Sequence, residues 1–272
     1  MASAVLWVVQ SNLGSSKDIN AIQEACEELG LPCMPVIAIP FSDELPDVPN
    51  DRPVVFYGSS NFVTNVYRSG RWQPGAFFNE SMFQFSEAFK HYGTKCLNSD
   101  ATFTTMGALA KESFPNEKQL FIRPVGDLKE FAGNTFSFGE YQEWCTSLSA
   151  GDLSITLETP IVAATPKQID HEWRLFIVNK RVISGSHYRS LGVLEVSEHI
   201  PETVVRFGEE LARIWSPDIV YVMDIAESGG RFSLIEINGF NSSGFYASDI
   251  KKIVGAISDA VGSNYAIKGT SV

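Results

Sequence analysis

Residues 219–245 read IVYVMDIAESGGRFSLIEINGFNSSGF. Two apolar runs flank a Ser-Gly-Gly-Arg turn, which predicts an antiparallel hairpin of strands 219–227 and 231–238. Asp224 interrupts the first run, and Glu236 and Asn238 close the second. A lone carboxylate among Val, Met and Ile is costly unless it is paired or coordinated. Period-two alternation puts Glu236 and Asn238 on one face of their strand. With Asp224 they offer the hard oxygen donors that Mg²⁺ takes. Register decides whether the three can meet. A two-residue Gly229-Gly230 turn, the favoured hairpin connection, sets Ser228 opposite Arg231 and Met223 opposite Glu236. Asp224 then points to the other face. Sharing a cation therefore requires a three- or five-residue loop, or a bulge that absorbs one residue. We expect that odd register, with Asp224 facing Glu236. Like charges crowded in this way imply that Asp224→Asn relieves the fold without metal.

Working outward, the second half reads as strands that are sequence neighbours: QLFIRPV (119–125), SITLETPIV (154–162), the hairpin EWRLFIVNKRVISGSHYR (172–189), and the pair above. Helices near 139–148 and 201–215 separate some of them. FIRP brings Arg123 to a strand end, before the loop VGDLKEFAG, which holds Lys129 and closes at Gly133. Cations so placed suit a polyphosphate. Glu172 and Arg174 share one strand face, and Arg189 emerges where that hairpin returns. The carboxylate suits ribose hydroxyls and the arginines suit phosphates.

The first half opens β-α-β, with a continuous apolar strand VLWVVQ (5–10), a helix from Asp18 as its cap to Gly30, and CMPVIAI (33–39). The spacing fits a right-handed parallel crossover. RPVVFYG (52–58) is a third strand, and 81–97 and 104–113 read as helical. SNLGSSKD after the first strand is not GxGxxG, which excludes a dinucleotide site there. The expected class is α/β and then α+β, with domains 1–95 and 96–272.

The chain has 272 residues, 44% hydrophobic and 19% charged, with a net charge of −11. That acidity excludes general nucleic-acid binding and an anionic membrane surface. No apolar run of ~18 residues exists to cross a membrane, and the N-terminus lacks the basic region of a signal peptide. Cys26, Cys33, Cys96 and Cys145 show no metal-ligand spacing and read as reduced thiols of a cytoplasmic protein.

In this order, MDIAESGGRFSLIEINGFNSSG and the preceding strands resemble the ATP-grasp superfamily, in particular RimK-like carboxylate–amine ligases. The likeness covers the C-terminal ~150 residues, and it implies an ATP-grasp fold behind an N-terminal pre-ATP-grasp α/β domain. It implies a lid at about 120–160 and a metal-binding sheet at about 172–245. It implies ATP and Mg²⁺ as cofactors, with Asp224, Glu236 and Asn238 holding the metal. The backbone of Glu158, Thr159 and Ile161 would read adenine, and Glu172 would meet the ribose. Arg123, Lys129 and Arg174 would grip phosphate, with Arg174 and Arg189 acting at the acyl phosphate. Arg123 stands where the family usually has Lys, and the glycine-rich loop is short. Both features look like a divergent clade of bacteria and phages, which also includes a eukaryotic cell-division-cycle assembly factor. The implied activity joins a carboxylate to an amine on a small molecule, peptide or protein. The alternatives are a nucleotide-binding assembly factor for a protein partner, or a phosphotransferase to a hydroxyl.

Overall fold

The apolar run VLWVVQ forms β1 (Leu6–Gln10), buried on both faces at the middle of a parallel sheet. The computed structural model describes residues 4–14, 16–39, 42–126, 131–148 and 155–269. Helix α1 (Ser16–Glu28) leads to β2 (Cys33–Val36), and β3 (Val54–Tyr57), α2 (Ser60–Ser69) and β4 (Pro74–Gly75) complete the order β2-β1-β3-β4. The expected β-α-β opening is present. Asp18 lies in the first turn of α1 and is not its cap; there its carboxylate suits the positive helix end.

After α3 (Phe85–Tyr92) come β5 (Thr102–Thr105), α4 (Met106–Ala110), β6 (Gln119–Pro124), β7 (Asn134–Ser137), α5 (Phe138–Leu148) and β8 (Pro160–Ala164). The four strands form an antiparallel sheet, β5-β8-β6-β7. SITLETPIV departs from its expected strand. Extended backbone starts only at Pro160, because residues 157–159 turn back on α4: Gly107 and Met106 donate to the carbonyls of Leu157 and Thr159. In β6 the alternation is clean: Leu120 and Ile122 pack under α4 and α5, while Phe121 and Arg123 face the other way.

The third sheet runs β11-β10-β9-β12-β13, from β9 (His171–Val178), β10 (Arg181–Ser190), β11 (Val193–Ser197), β12 (Val220–Ser228) and β13 (Arg231–Asn238). Helix α6 (Glu202–Ile214) covers one face with Val204, Leu211 and Ala212, against Leu175 and Met223 among others. Helix α7 (Ile250–Gly269) covers part of the other face and returns to α1. Both large cores join side chains of the parallel sheet to side chains of this one.

The decisive hairpin satisfies both demands placed on it. Gly229 and Gly230, at φ 55° and 74°, make the two-residue turn, and Ser228 pairs with Arg231. Farther along, Ile225 faces Leu234 but Asp224 faces Glu236. The extra residue, Ile235, is a β-bulge that shifts the register by one. Asp224 also faces Arg174 of β9, which faces Ser186 of β10. One row of the sheet thus carries Arg174, Asp224 and Glu236 side by side.

Close backbone approach generates a prediction. A Cβ on Gly185 of β10 would collide with the Arg174 carbonyl, whereas one on Gly262 of α7 meets nothing within 4 Å. In thermal and urea unfolding, Gly185→Ala should cost about 1–3 kcal/mol. Gly262→Ala should add about 0.5–1 kcal/mol, the helix-interior gain of Ala over Gly.

Candidate functional site

Sheet β5-β8-β6-β7 and sheet β11–β13 lean together over a cleft of about 440 Å³. Phe121 and Arg123 of β6 line one wall, with Phe131, Ala132 and Gly133. A Cβ at Gly133 would press on the Phe121 ring at 2.9 Å and on Arg123 Cβ at 3.2 Å, so a side chain there would have to displace the Phe121 ring. Glu172, Tyr188, Arg189, Ile235 and Glu236 form the opposite wall. The floor is the strap 165–170 that joins β8 to β9, which contributes Lys167 and Ile169.

Charge in this region is compensated pair by pair. Arg174 Nε donates to Asp224 Oδ1 at 2.9 Å and its Nη2 to Oδ2 at 2.7 Å, a two-pronged contact; Nη1 reaches the Gly244 carbonyl at 3.2 Å. Only 3% of the Asp224 side chain is exposed. Burial works against the charge of Arg174, yet the Asp224 carboxylate more than offsets it and holds the guanidinium above the usual arginine range. Arg123 Nη2 donates to Glu236 Oε2 at 2.9 Å. Between the pairs, Asn238 Nδ2 donates to Asp224 Oδ2 at 3.3 Å and to Glu236 Oε1 at 3.1 Å. The Tyr188 hydroxyl donates to Glu172 Oε2 at 2.7 Å, and Arg189 Nη1 stands 3.6 Å from Oε1. Burial, with the charges of Asp224 and Glu172, pushes the Tyr188 phenol well above its ordinary value. Tyr188 stacks on Tyr246 at 4.9 Å, and Arg174 lies over the Tyr246 ring at 5.1 Å. Tyr246 holds φ 53°, left-handed backbone that a bulky residue adopts only under constraint.

The structure thus gathers Arg123, Glu172, Arg189 and Glu236 on the cleft, with Asp224 and Asn238 directly behind Glu236. Arg174 pairs with Asp224 and does not line the cleft. Glu158, Thr159 and Ile161 do not line this cleft. Glu158 is on an exposed turn beside α4. The Thr159 amide and carbonyl bind Thr156 and Met106, and Ile161 is paired between β5 and β6. Lys129 lies outside the described residues. Lys167 was not legible, because a lysine in TPKQID obeys no strand or helix period. Its Nζ donates to Asp100 Oδ1 at 2.8 Å, and the Thr165 amide donates to Oδ2 at 3.0 Å. Burial raises the Asp100 pKa, but Lys167 and Thr165 outweigh it and hold the group down to about 2. Buried Asn98 and the Tyr188–Tyr246 stack likewise gave no sequence signal.

For a metal, two acids and an amide converge, with oxygen donors suited to Mg²⁺. Among the described residues no group of three or more His, Cys, Asp or Glu does so, which leaves the amide as the third donor. The residues fit a hard cation once the Asn238 amide turns to present its oxygen.

The chain belongs to an ATP-grasp domain family, clade family 3, whose model matches residues 57–257. None of the curated proteins compared matches it in sequence. Similar solved structures include the D-cycloserine synthetase DcsG, with TM-score 0.65, 10% identity, and cover of 94% of this chain and 99% of that one. The ATP-grasp ligase PsnB, complexed with minimal precursor, Mg and ADP, has TM-score 0.57 and 13% identity over 96% of this chain and 98% of its own. A RimK domain ATP-grasp protein from Sphaerobacter thermophilus has TM-score 0.57 and 10% identity over 95% and 99%. The fold is therefore ATP-grasp. No described helix is long and apolar enough to cross a membrane.

The buried pair makes a stability prediction that corrects the one from sequence. Asp224→Asn does not relieve crowding, since it leaves Arg174 buried without a counter-charge. Arg174→Ala should lower unfolding free energy by about 3–5 kcal/mol, because Asp224 is then a lone buried charge. The combined Arg174→Met and Asp224→Leu variant should lose far less in the same urea titration.

Proposed function

We propose that this protein is an ATP- and Mg²⁺-dependent ligase that activates a carboxylate as an acyl phosphate and couples it to an amine, releasing ADP and phosphate. The observation that carries this is the cleft itself, where Arg123, Lys167 and Arg189 converge from three separate elements. Three cations from one lid sheet, one strap and one hairpin suit a polyphosphate laid between two sheets. The base would lie toward Ile169 of the strap rather than on residues 158–161. Glu172, held by Tyr188, faces the same space and suits the ribose hydroxyls.

Asp224, Glu236 and Asn238 would hold the metal. Mg²⁺ held there would supply charge neutralisation to the phosphates. The chain's own residues do the rest. Arg123 is tied to Glu236 by a single bond at 2.9 Å, so a phosphate competes for it on equal terms. Arg174, held by two bonds and a carbonyl, keeps Asp224 in place. In the chemical step a carboxylate oxygen attacks the γ-phosphorus while the bond to the β-phosphate oxygen breaks. The amine nitrogen then attacks the acyl carbon, loses a proton, and phosphate leaves. Alignment and charge neutralisation supply the catalysis, with no protein nucleophile. The division into domains 1–95 and 96–272 is part of the same proposal, the lid sheet closing on the nucleotide.

Calorimetry with ATP and Mg²⁺ tests the grip. Arg123→Ala and Lys167→Ala should each weaken binding at least ten-fold, and Lys95→Ala, on an exposed pair with Glu210, should match the parent. Unchanged affinity in both cleft variants would overturn the phosphate assignment. An assay of ADP release against paired carboxylates and amines then tests the reaction. Tight ATP binding with no turnover across the panel would favour the assembly factor instead.

A further inference from the structure

The hairpin of β10 and β11 carries features that the nucleotide cleft does not require. Its strand β11 ends the five-stranded sheet and pairs only with β10 among the described residues. The opposite edge is guarded: Cys96 bridges to Leu234 of β13, and the Leu97 amide donates to the Leu234 carbonyl. An open edge is a template for another strand. This one is apolar on both faces, with Leu191, Val193, Leu194 and Val196 exposed by 67%, 68%, 64% and 46%.

The turn is also unusual in its residue choice. The three two-residue turns of this sheet all hold positive φ at both positions. Asn179 and Gly229 open two of them, as left-handed backbone prefers. The third opens with Leu191 at φ 47°, although its side chain is in solvent and gains nothing there by packing. The Leu191 amide donates to the Asp170 carbonyl at 2.9 Å, which holds the turn while the apolar side chain stays in solvent.

We propose that β11 is a docking edge for an extended, cationic segment of a peptide or protein substrate, which adds as a further strand; this rests on the ligase function above. Charge selects that occupant over a second copy. An antiparallel pairing of two β11 strands that uses all five residues sets Glu195 directly against its own copy, which is destabilising. Each copy also carries a net charge of −11. Lysine or arginine opposite Glu195, with Glu198 beyond the strand end, reverses that penalty. Continuity with the cleft selects a substrate: Leu194 lies opposite Arg189, which lines the cleft. A strand added to β11 runs two strand spacings, about 10 Å, from the strand of Arg189, near enough for the substrate residues beyond it to enter.

The test uses the full chain and a fluorescein-labelled twelve-residue peptide of alternating Val and Lys, monitored by fluorescence anisotropy, with a Val/Glu peptide as control. The Lys peptide should bind, and the Glu peptide at least ten-fold more weakly. Leu191→Asn should raise the melting temperature and yet weaken peptide binding several-fold, a combination a structural role does not give. Val193→Ser with Val196→Ser should weaken it at least ten-fold, with ATP affinity unchanged. Equal binding by these variants, or no binding by the parent, overturns the proposal. So does light scattering that shows the parent as a dimer which the variants dissolve. ATP binding without peptide binding brings down the docking edge alone. Peptide binding that depends on the hairpin, in a chain that binds no ATP, brings down the ligase function and leaves the edge standing.

Discussion

The bidentate contact of Arg174 with Asp224 is the interaction on which the site depends. Asp224 sits mid-sheet, where an uncompensated carboxylate would not persist at neutral pH without a large cost. Arg174 meets that need from the neighbouring strand, directly opposite. With the acid neutralised, β12 can run through the core on its other face, with Met223 and Ile225 packed against α6 and its surroundings. The pair therefore bears on stability and, in the proposed function, on the metal site. It holds a carboxylate ready behind Glu236 at a point where solvent would otherwise be needed to support it.

A second constraint is register. The Gly229-Gly230 turn alone would split Asp224 from Glu236, and the Ile235 bulge rejoins them. The extra residue is not idle, since Ile235 lines the cleft. A single inserted residue thus sets the acid row and contributes to the cleft wall. The two arginines paired with these acids differ in how firmly they are held. Arg174 is fixed by three contacts, and Arg123 comes from another sheet with one contact to Glu236. The arginine shared between the two sheets is the one able to exchange a carboxylate for a phosphate.

Much of the fold was legible because its signals are local. Apolar runs marked β1, β3, β12 and β13, period two marked the charged face of β9, and the Gly-Gly pair marked the turn. Short elements that owe their form to tertiary contact were not. Strand β8 was expected six residues early, because ITLET has the composition of a strand but is turned by hydrogen bonds to α4. In the site, Glu172, Arg189 and Glu236 were readable from strand position. Lys167 and Asp100 were not, since they meet across 67 residues in loops without period. The position of Arg174 was readable, and its partner was not: sequence supplied an arginine and an acid on two strands, but only the cross-strand register joined them.

The measurement that tests this account most directly is anomalous diffraction from crystals grown with Mn²⁺ and a non-hydrolysable ATP analogue. The account predicts one manganese peak bonded to the carboxylates of Asp224 and Glu236. The phosphates should lie within reach of Arg123, Lys167 and Arg189, with Arg174 still on Asp224. A nucleotide bound over the parallel sheet β2-β1-β3-β4, or a manganese peak remote from Asp224 and Glu236, would contradict it.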